Sequence, residues 1–332
     1  MATKKNGAKK TVAKKKGKGF TPANRFLRYQ LTTSSNPNTE NSHFIDIGRS
    51  LSALNRRLYR QGKVYQIASI SVTSRNTVDG LISFSTAPDT WVTRGAWHRG
   101  FKMHQEMQKL VTDLPGSTAR KGRYNDFKVY LSNDHRTASV TRPVDNGNNL
   151  VGSGEWIYSE FHTPDGVGNN SDIFVTHLLG DHDGSAGSRI SVGLIKSYGE
   201  ARATVNTNTP NVDSDGSDDP FLNLFDAGTQ VDEVANDLLT DGDAPPYAIG
   251  SGSTTGDVYP GANSNVPKPM VNRLAGIGAQ GGTSAPTLML PGFTAFAGLI
   301  EVEMQSAAPN DTFDILIELA PGSYKGVAAF DI

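Results

Sequence analysis

A period of two constrains this chain more than any other feature. Between Val64 and Leu319 it holds eight short runs rich in β-branched and aromatic residues, several alternating apolar with polar positions. The runs are Val64–Thr73, Gly80–Thr86, Phe127–Ser132, Glu155–His162, Asp172–Leu179, Arg189–Tyr198, Ala295–Gln305 and Thr312–Leu319. In the last of them Phe313, Ile315, Ile317 and Leu319 share one face while Asp314, Leu316 and Glu318 take the other, as in a half-buried strand. Gly, Asn, Asp and Pro punctuate the gaps, and 35 glycines and 17 prolines in 332 residues favour turns over long helices. Repeated strands without helical periods between them predict an all-β antiparallel sandwich or barrel, not a doubly wound α/β fold. One helix is expected, over residues 97–111, where Phe101, Met103, Met107, Leu110 and Val111 recur near helical spacing and would pack on the sandwich.

Charge divides the chain. The total is 32 Lys+Arg against 33 Asp+Glu, yet residues 1–142 hold 26 of the basic residues and 8 of the acidic ones. Such asymmetry points to a nucleic-acid partner, a membrane surface or a charged tail. Lys4, Lys5, Lys9, Lys10, Lys14, Lys15, Lys16 and Lys18 occupy a segment with no aromatic residue and one valine. It cannot bury enough apolar surface to offset its ordering entropy, so a disordered arm is expected. Dense lysine on a tether suits sequence-independent phosphate neutralisation; a solubilising tail or a nuclear-localisation signal is the plainer alternative. Arg25, Arg28, Arg56, Arg57 and Arg60 continue the basic character, and no acid precedes Glu40. The reverse holds over residues 203–267, an insert with 11 acids and neither Lys nor Arg. A loop of that length inside a domain is usually functional or mobile.

Other chemistry finds little to start from. With no cysteine there is no disulfide scaffold, thiolate metal site or thiol nucleophile. No run approaches the roughly 20 apolar residues of a membrane-spanning helix, and no secretory leader is read at the lysine-rich start. Asp213 and Asp215 open like a calcium loop, but the twelfth position is Leu224 where a bidentate Glu is needed. Asp181 and Asp183 form a similar fragment. These four are the candidate metal ligands; a solvated acidic loop is the reading adopted, with Ca2+ bridging subunits as the alternative and no other cofactor expected. Gly276, Gly278 and Gly281 match a dinucleotide fingerprint literally, but the Gly282–Pro286 stretch that follows cannot open the required helix. Among the seven histidines, His162 and His177 are expected as hydrogen-bonded structural residues on strands. No nucleophile elbow, zinc-protease or phosphate-loop motif is present, so nothing argues for an enzyme.

A lysine-rich arm followed by eight strands resembles the coat proteins of small icosahedral viruses. The stretches Arg94–Met103 (RGAWHRGFKM) and Leu319–Val327 (LAPGSYKGV) are most similar to the capsid protein of the circular, Rep-encoding single-stranded DNA viruses of eukaryotes. The resemblance implies a single eight-stranded jelly roll, self-assembly into a closed virion shell of on the order of 60 or more copies, and a basic arm turned inward on a genome. It favours DNA over RNA, leaves the host receptor unnamed, involves no membrane, and allows a nuclear stage through the arm. Its organisation would be 1–20 as genome-binding arm, 21–63 as basic inner-surface segment and 64–332 as shell domain, with the 203–267 insert exterior. Two other functions fit the same residues: a nucleic-acid-condensing protein that forms no shell, and a β-sandwich attachment or lectin-type module binding through its acidic loop.

Overall fold

The computed structural model describes residues 22–74, 80–112, 126–139, 141–152, 154–164, 171–185, 188–204, 270–275 and 287–332. The eight arm lysines, most of the acidic insert with Asp213 and Asp215, and the Gly276–Gly281 motif lie outside the described residues.

Strand dominates. The first antiparallel sheet runs β1 (Phe26–Thr32), β14 (Thr312–Leu319), β3 (Lys63–Ser74), β11 (Thr287–Pro291); two short strands, β12 (Thr294–Ala295) and β17 (Ala329–Asp331), extend it along the first half of β3. The second runs β10 (Met270–Ala275), β4 (Gly80–Ser85), β13 (Leu299–Ser306), β2 (Asn41–Asp46). The alternation seen in the sequence sets the register. Leu27, Tyr29 and Leu31 stand opposite Ile317, Ile315 and Phe313, and all six are buried. From the second sheet Ile45 and Ile300 pair, as do Val302 with Phe84 and Met304 with Ile82. These side chains share one apolar core with those of the first sheet, as in a β-sandwich. Each such fully buried aliphatic contributes roughly 1.5–3 kcal/mol relative to exposure.

Residues 86–204, between β4 and β10 in chain order, supply most of a second core, which Phe44, Val64, Phe296, Ala297, Leu299 and Ile332 complete from outside that segment. The segment contains α2 (Trp91–Thr112), β5 (Tyr130–Ser132), α3 (Asn133–Thr137), β6 (Glu160–Pro164), β7 (Ser171–Leu179), β8 (Asp183–Ser185), β9 (Ser188–Gly193) and α4 (Leu194–Thr204). Its sheet is mixed: β5 and β9 both pair parallel to β7, while β6 and β8 join antiparallel. Trp97 and Met103 of α2 pack on Phe127, Phe161 and Phe174, and Leu194 and Ile195 of α4 complete the layer.

Several expectations need correcting. The runs at 127–132, 155–162, 172–179 and 189–198 are not strands of the antiparallel sheets; their strand portions pair with one another in the mixed sheet. The run Arg189–Tyr198 splits at Gly193, after which the chain turns into α4. Alternation identifies a strand but not its partner, and the partners here are distant in sequence. Conversely, β1, β2, β10 and β11 belong to the two antiparallel sheets although none was among the eight runs. β1 and β2 lie before Val64, within a stretch whose arginines mask its alternation. The helix over 97–111 is present within α2, but Leu110, expected in its packed stripe, is 74% exposed.

Candidate nucleic-acid interface

α1 (Ile47–Asn55) follows β2 directly. Asp46 is its N-cap, the side chain accepting from the Arg49 backbone N–H at 3.0 Å. The helix stops at Arg56, which adopts φ 52°, a left-handed cap usually left to glycine. The chain up to β3 then combines buried anchors with exposed cations. Tyr59 is fully buried, its hydroxyl donating to the Lys325 carbonyl at 2.9 Å and its N–H to Ser52 Oγ at 2.8 Å. Gln61 is also fully buried; its amide donates to Asp46 Oδ2 and the Val129 carbonyl, both at 3.0 Å, and accepts from Val129 N–H at 2.6 Å. Arg56 and Arg57, before the first anchor, and Arg60, between the two, are exposed. Two buried polar anchors thus hold one basic loop outward.

More cations converge on the loop. Lys325 donates to the Leu58 carbonyl, and Arg60 N–H donates to Tyr324 Oη at 3.0 Å. Burial, then the Arg60 charge, holds the Lys325 ammonium below its ordinary pKa. The segment preceding β1 is fastened here too. Arg57 Nη1 donates to the Pro22 carbonyl at 3.3 Å, and Asn55 exchanges two hydrogen bonds with the Asn24 backbone at 2.7 and 3.0 Å. Lys18 is four residues before Pro22, so at most roughly 14 Å of extended chain separates the last arm lysine from the basic loop.

Two clefts flank the loop. One, of about 250 Å³, lies between α1 and residues 154–156 and is lined by Arg49, Arg56, Arg57, Glu155 and Trp156 among others. Among the described residues the guanidinium groups of Arg49 and Arg56 make no hydrogen bond or ion pair. Trp156 Nε1 donates to Asp46 Oδ2 at 3.0 Å, and the Lys128 ammonium sits 4.8 Å from the indole centre. Asp46 is therefore a buried carboxylate holding α1, Gln61 and Trp156 together. Burial raises its pKa, and the bonds from Arg49, Gln61 and Trp156 oppose that rise. The other cleft, of about 480 Å³, lies among Arg60, Trp97, Phe101, Tyr324, Lys325 and their neighbours.

Of the five arginines singled out by the sequence, Arg56, Arg57 and Arg60 stay exposed on one loop. Arg25 and Arg28 lie beside acids of β14: Arg25 is 4.0 Å from Glu318 and donates to the Leu319 carbonyl, and Arg28 is 3.5 Å from Asp314. Arg49 and Trp156 were not among the expected site residues. No local motif marks them, since they meet only through Asp46.

The described metal candidates are engaged by cations instead: Asp181 pairs with Lys196, and Asp183 with Arg136 at 2.6 Å. Among the described residues no group of three His, Asp or Glu could hold a metal ion, and no helix is long and apolar enough to cross a membrane. His177 is a buried structural residue, bonded to Ser191 Oγ at 2.6 Å and the Asp181 carbonyl at 2.9 Å. Compared with family models, curated proteins and solved structures, the chain gives no match.

Proposed function

We propose that this chain is a structural shell protein that assembles with copies of itself and packages single-stranded nucleic acid by sequence-independent contacts. The observation that carries the reading is the basic loop at Arg56–Arg60, against which residues 22–24, the described chain next after the lysine-rich segment, are hydrogen-bonded. Exposed arginines on this loop, in a chain whose first 18 residues carry eight lysines, suit a polyanion. The scaffold supports the same reading. With the short β12 and β17 set aside and the other eight strands of the two antiparallel sheets numbered in chain order, one sheet runs 1-8-3-6 and the other 5-4-7-2. That order supports reading the sandwich as an eight-stranded jelly roll, an architecture common to capsid and lectin domains. On this reading residues 86–204 are an insertion between the fourth and fifth strands, packed through a core they share with Phe44, Val64, Phe296 and Leu299. DNA is the favoured cargo.

The test is to purify the full chain and image it by electron microscopy, then extract and nuclease-type any contents. Uniform closed particles holding single-stranded DNA are expected. Small oligomers that condense added DNA would point to a non-shell protein, and particle-free, nucleic-acid-free protein with glycan affinity to an attachment module; either result rejects the proposal. Changing the eight arm lysines to glutamine should lower the packaged nucleic acid per particle and reduce its salt sensitivity.

A further inference from the structure

We infer that the cleft between α1 and residues 154–156 takes one nucleotide of single-stranded nucleic acid, its base stacked on Trp156 and its phosphates held by Arg49, Arg56 and Arg57. The inference deepens the nucleic-acid reading above and rests on it.

Charge points to an anion. Three arginines and one acid, Glu155, line the cleft, and the guanidinium groups of Arg49 and Arg56 have no protein acceptor among the described residues. The C-terminal end of a helix carries partial negative charge, so α1 itself disfavours an anion there and the arginines must supply the whole attraction. Guanidinium groups suit phosphate because their planar fork can donate two parallel bonds.

The indole points to a base. Its Nε1–H is tied to buried Asp46, which fixes the ring plane, and the Lys128 ammonium lies over the ring. A ring already fixed loses little freedom on stacking, and any base offers a π-face, so the contact is tolerant of sequence. A volume of about 250 Å³ admits a base but no duplex, so the base must be unpaired to enter. The arm neutralises phosphate in any nucleic acid; this cleft is what distinguishes single strands from duplex.

The test titrates the full chain with a short oligothymidylate, a duplex of equal length and inorganic polyphosphate, following tryptophan emission. Salt is held at about 0.3–0.5 M to weaken the lysine contribution. Oligothymidylate should quench emission, with polyphosphate giving no quench and duplex much less. Trp156→Leu should weaken oligothymidylate binding roughly five- to hundredfold and remove the quench, while Trp156→Phe retains most of the affinity. Arg56→Gln with Arg57→Gln, both exposed, should reduce the slope of log affinity against log salt by about two, a readout independent of the Trp156 variants. Unchanged affinity and quench in Trp156→Leu, an unchanged salt slope in the arginine pair, or equal quenching by polyphosphate would each overturn the inference while leaving packaging intact. If the parent chain binds no nucleic acid, both readings fall.

Discussion

Replacing His104 by leucine probes the second core where its chemistry is least satisfied. His104 lies on α2 at 6% exposure, its ring 5.5 Å from Phe127 and 6.3 Å from Phe161, and neither ring nitrogen meets a partner among the described residues. Burial, with a smaller push from the Lys128 charge, lowers its pKa from 6.5 to about 4. The unfolded chain therefore binds the proton first as pH falls. The stabilisation from keeping this histidine neutral is fully present above about 6.5 and is lost as pH drops toward 4. Between pH 7 and pH 5 that loss is about 2 kcal/mol. Leucine is similar in volume and carries no proton to gain. At pH 7 the variant should also be more stable by about 1–2 kcal/mol, because a buried polar group without a partner is removed. Urea titrations at pH 7 and pH 5, at one protein concentration and followed by tryptophan fluorescence, read both effects. Asp46 and Asp126, whose carboxyls are pushed up mainly by burial, contribute with the opposite sign, but equally in parent and variant. If the variant loses as much stability between the two pH values as the parent does, the reasoning about His104 fails.

Three further outcomes follow from the packing. Asp46→Ala removes the cap of α1 and leaves the Gln61 and Trp156 donors unpaired, so a loss of about 3 kcal/mol is expected in the same titrations; under 1 kcal/mol would mean that this carboxylate is not the tie described. Gly292→Ala would place a Cβ 2.1 Å from the Ile67 carbonyl oxygen, against the backbone of β3, and should cost about 2–3 kcal/mol; a thermal midpoint equal to the parent's would show that the strand yields freely. His177, with its pKa also lowered to about 4 mainly by burial, adds a second acid-labile site, so His177→Gln in the His104→Leu background should flatten the stability profile between pH 7 and pH 5 further.

The basic loop shows how a site can be half legible. Arg56, Arg57 and Arg60 stood out in the sequence as cations, and their exposure follows from the cost of burying charge. Their neighbours Tyr59 and Gln61 gave no such signal, because a buried polar side chain is recognised by its partners, and those partners are Lys325, Asp46 and Val129. Trp156 was invisible for the same reason. Its role depends on a hydrogen bond to a residue 110 positions away. Arg25 and Arg28 looked equivalent to the others until strand pairing placed Glu318 and Asp314 beside them.

What the sequence determined alone is local: strand against helix, from the period of alternation along β3, β4, β13 and β14, and the separation of charge, which is a property of composition. What only the tertiary structure decided is partnership. Ser171–Leu179 and Thr312–Leu319 both read as strands from their β-branched and aromatic residues, yet one pairs parallel in a mixed sheet and the other antiparallel between β1 and β3. A strand's side-chain pattern records only whether each face meets apolar surface or water. Backbone hydrogen bonds are the same for any sequence, so the choice of neighbour is left to the packing of distant segments. The same nonlocal packing set Trp156 beside Arg49, Arg56 and Arg57.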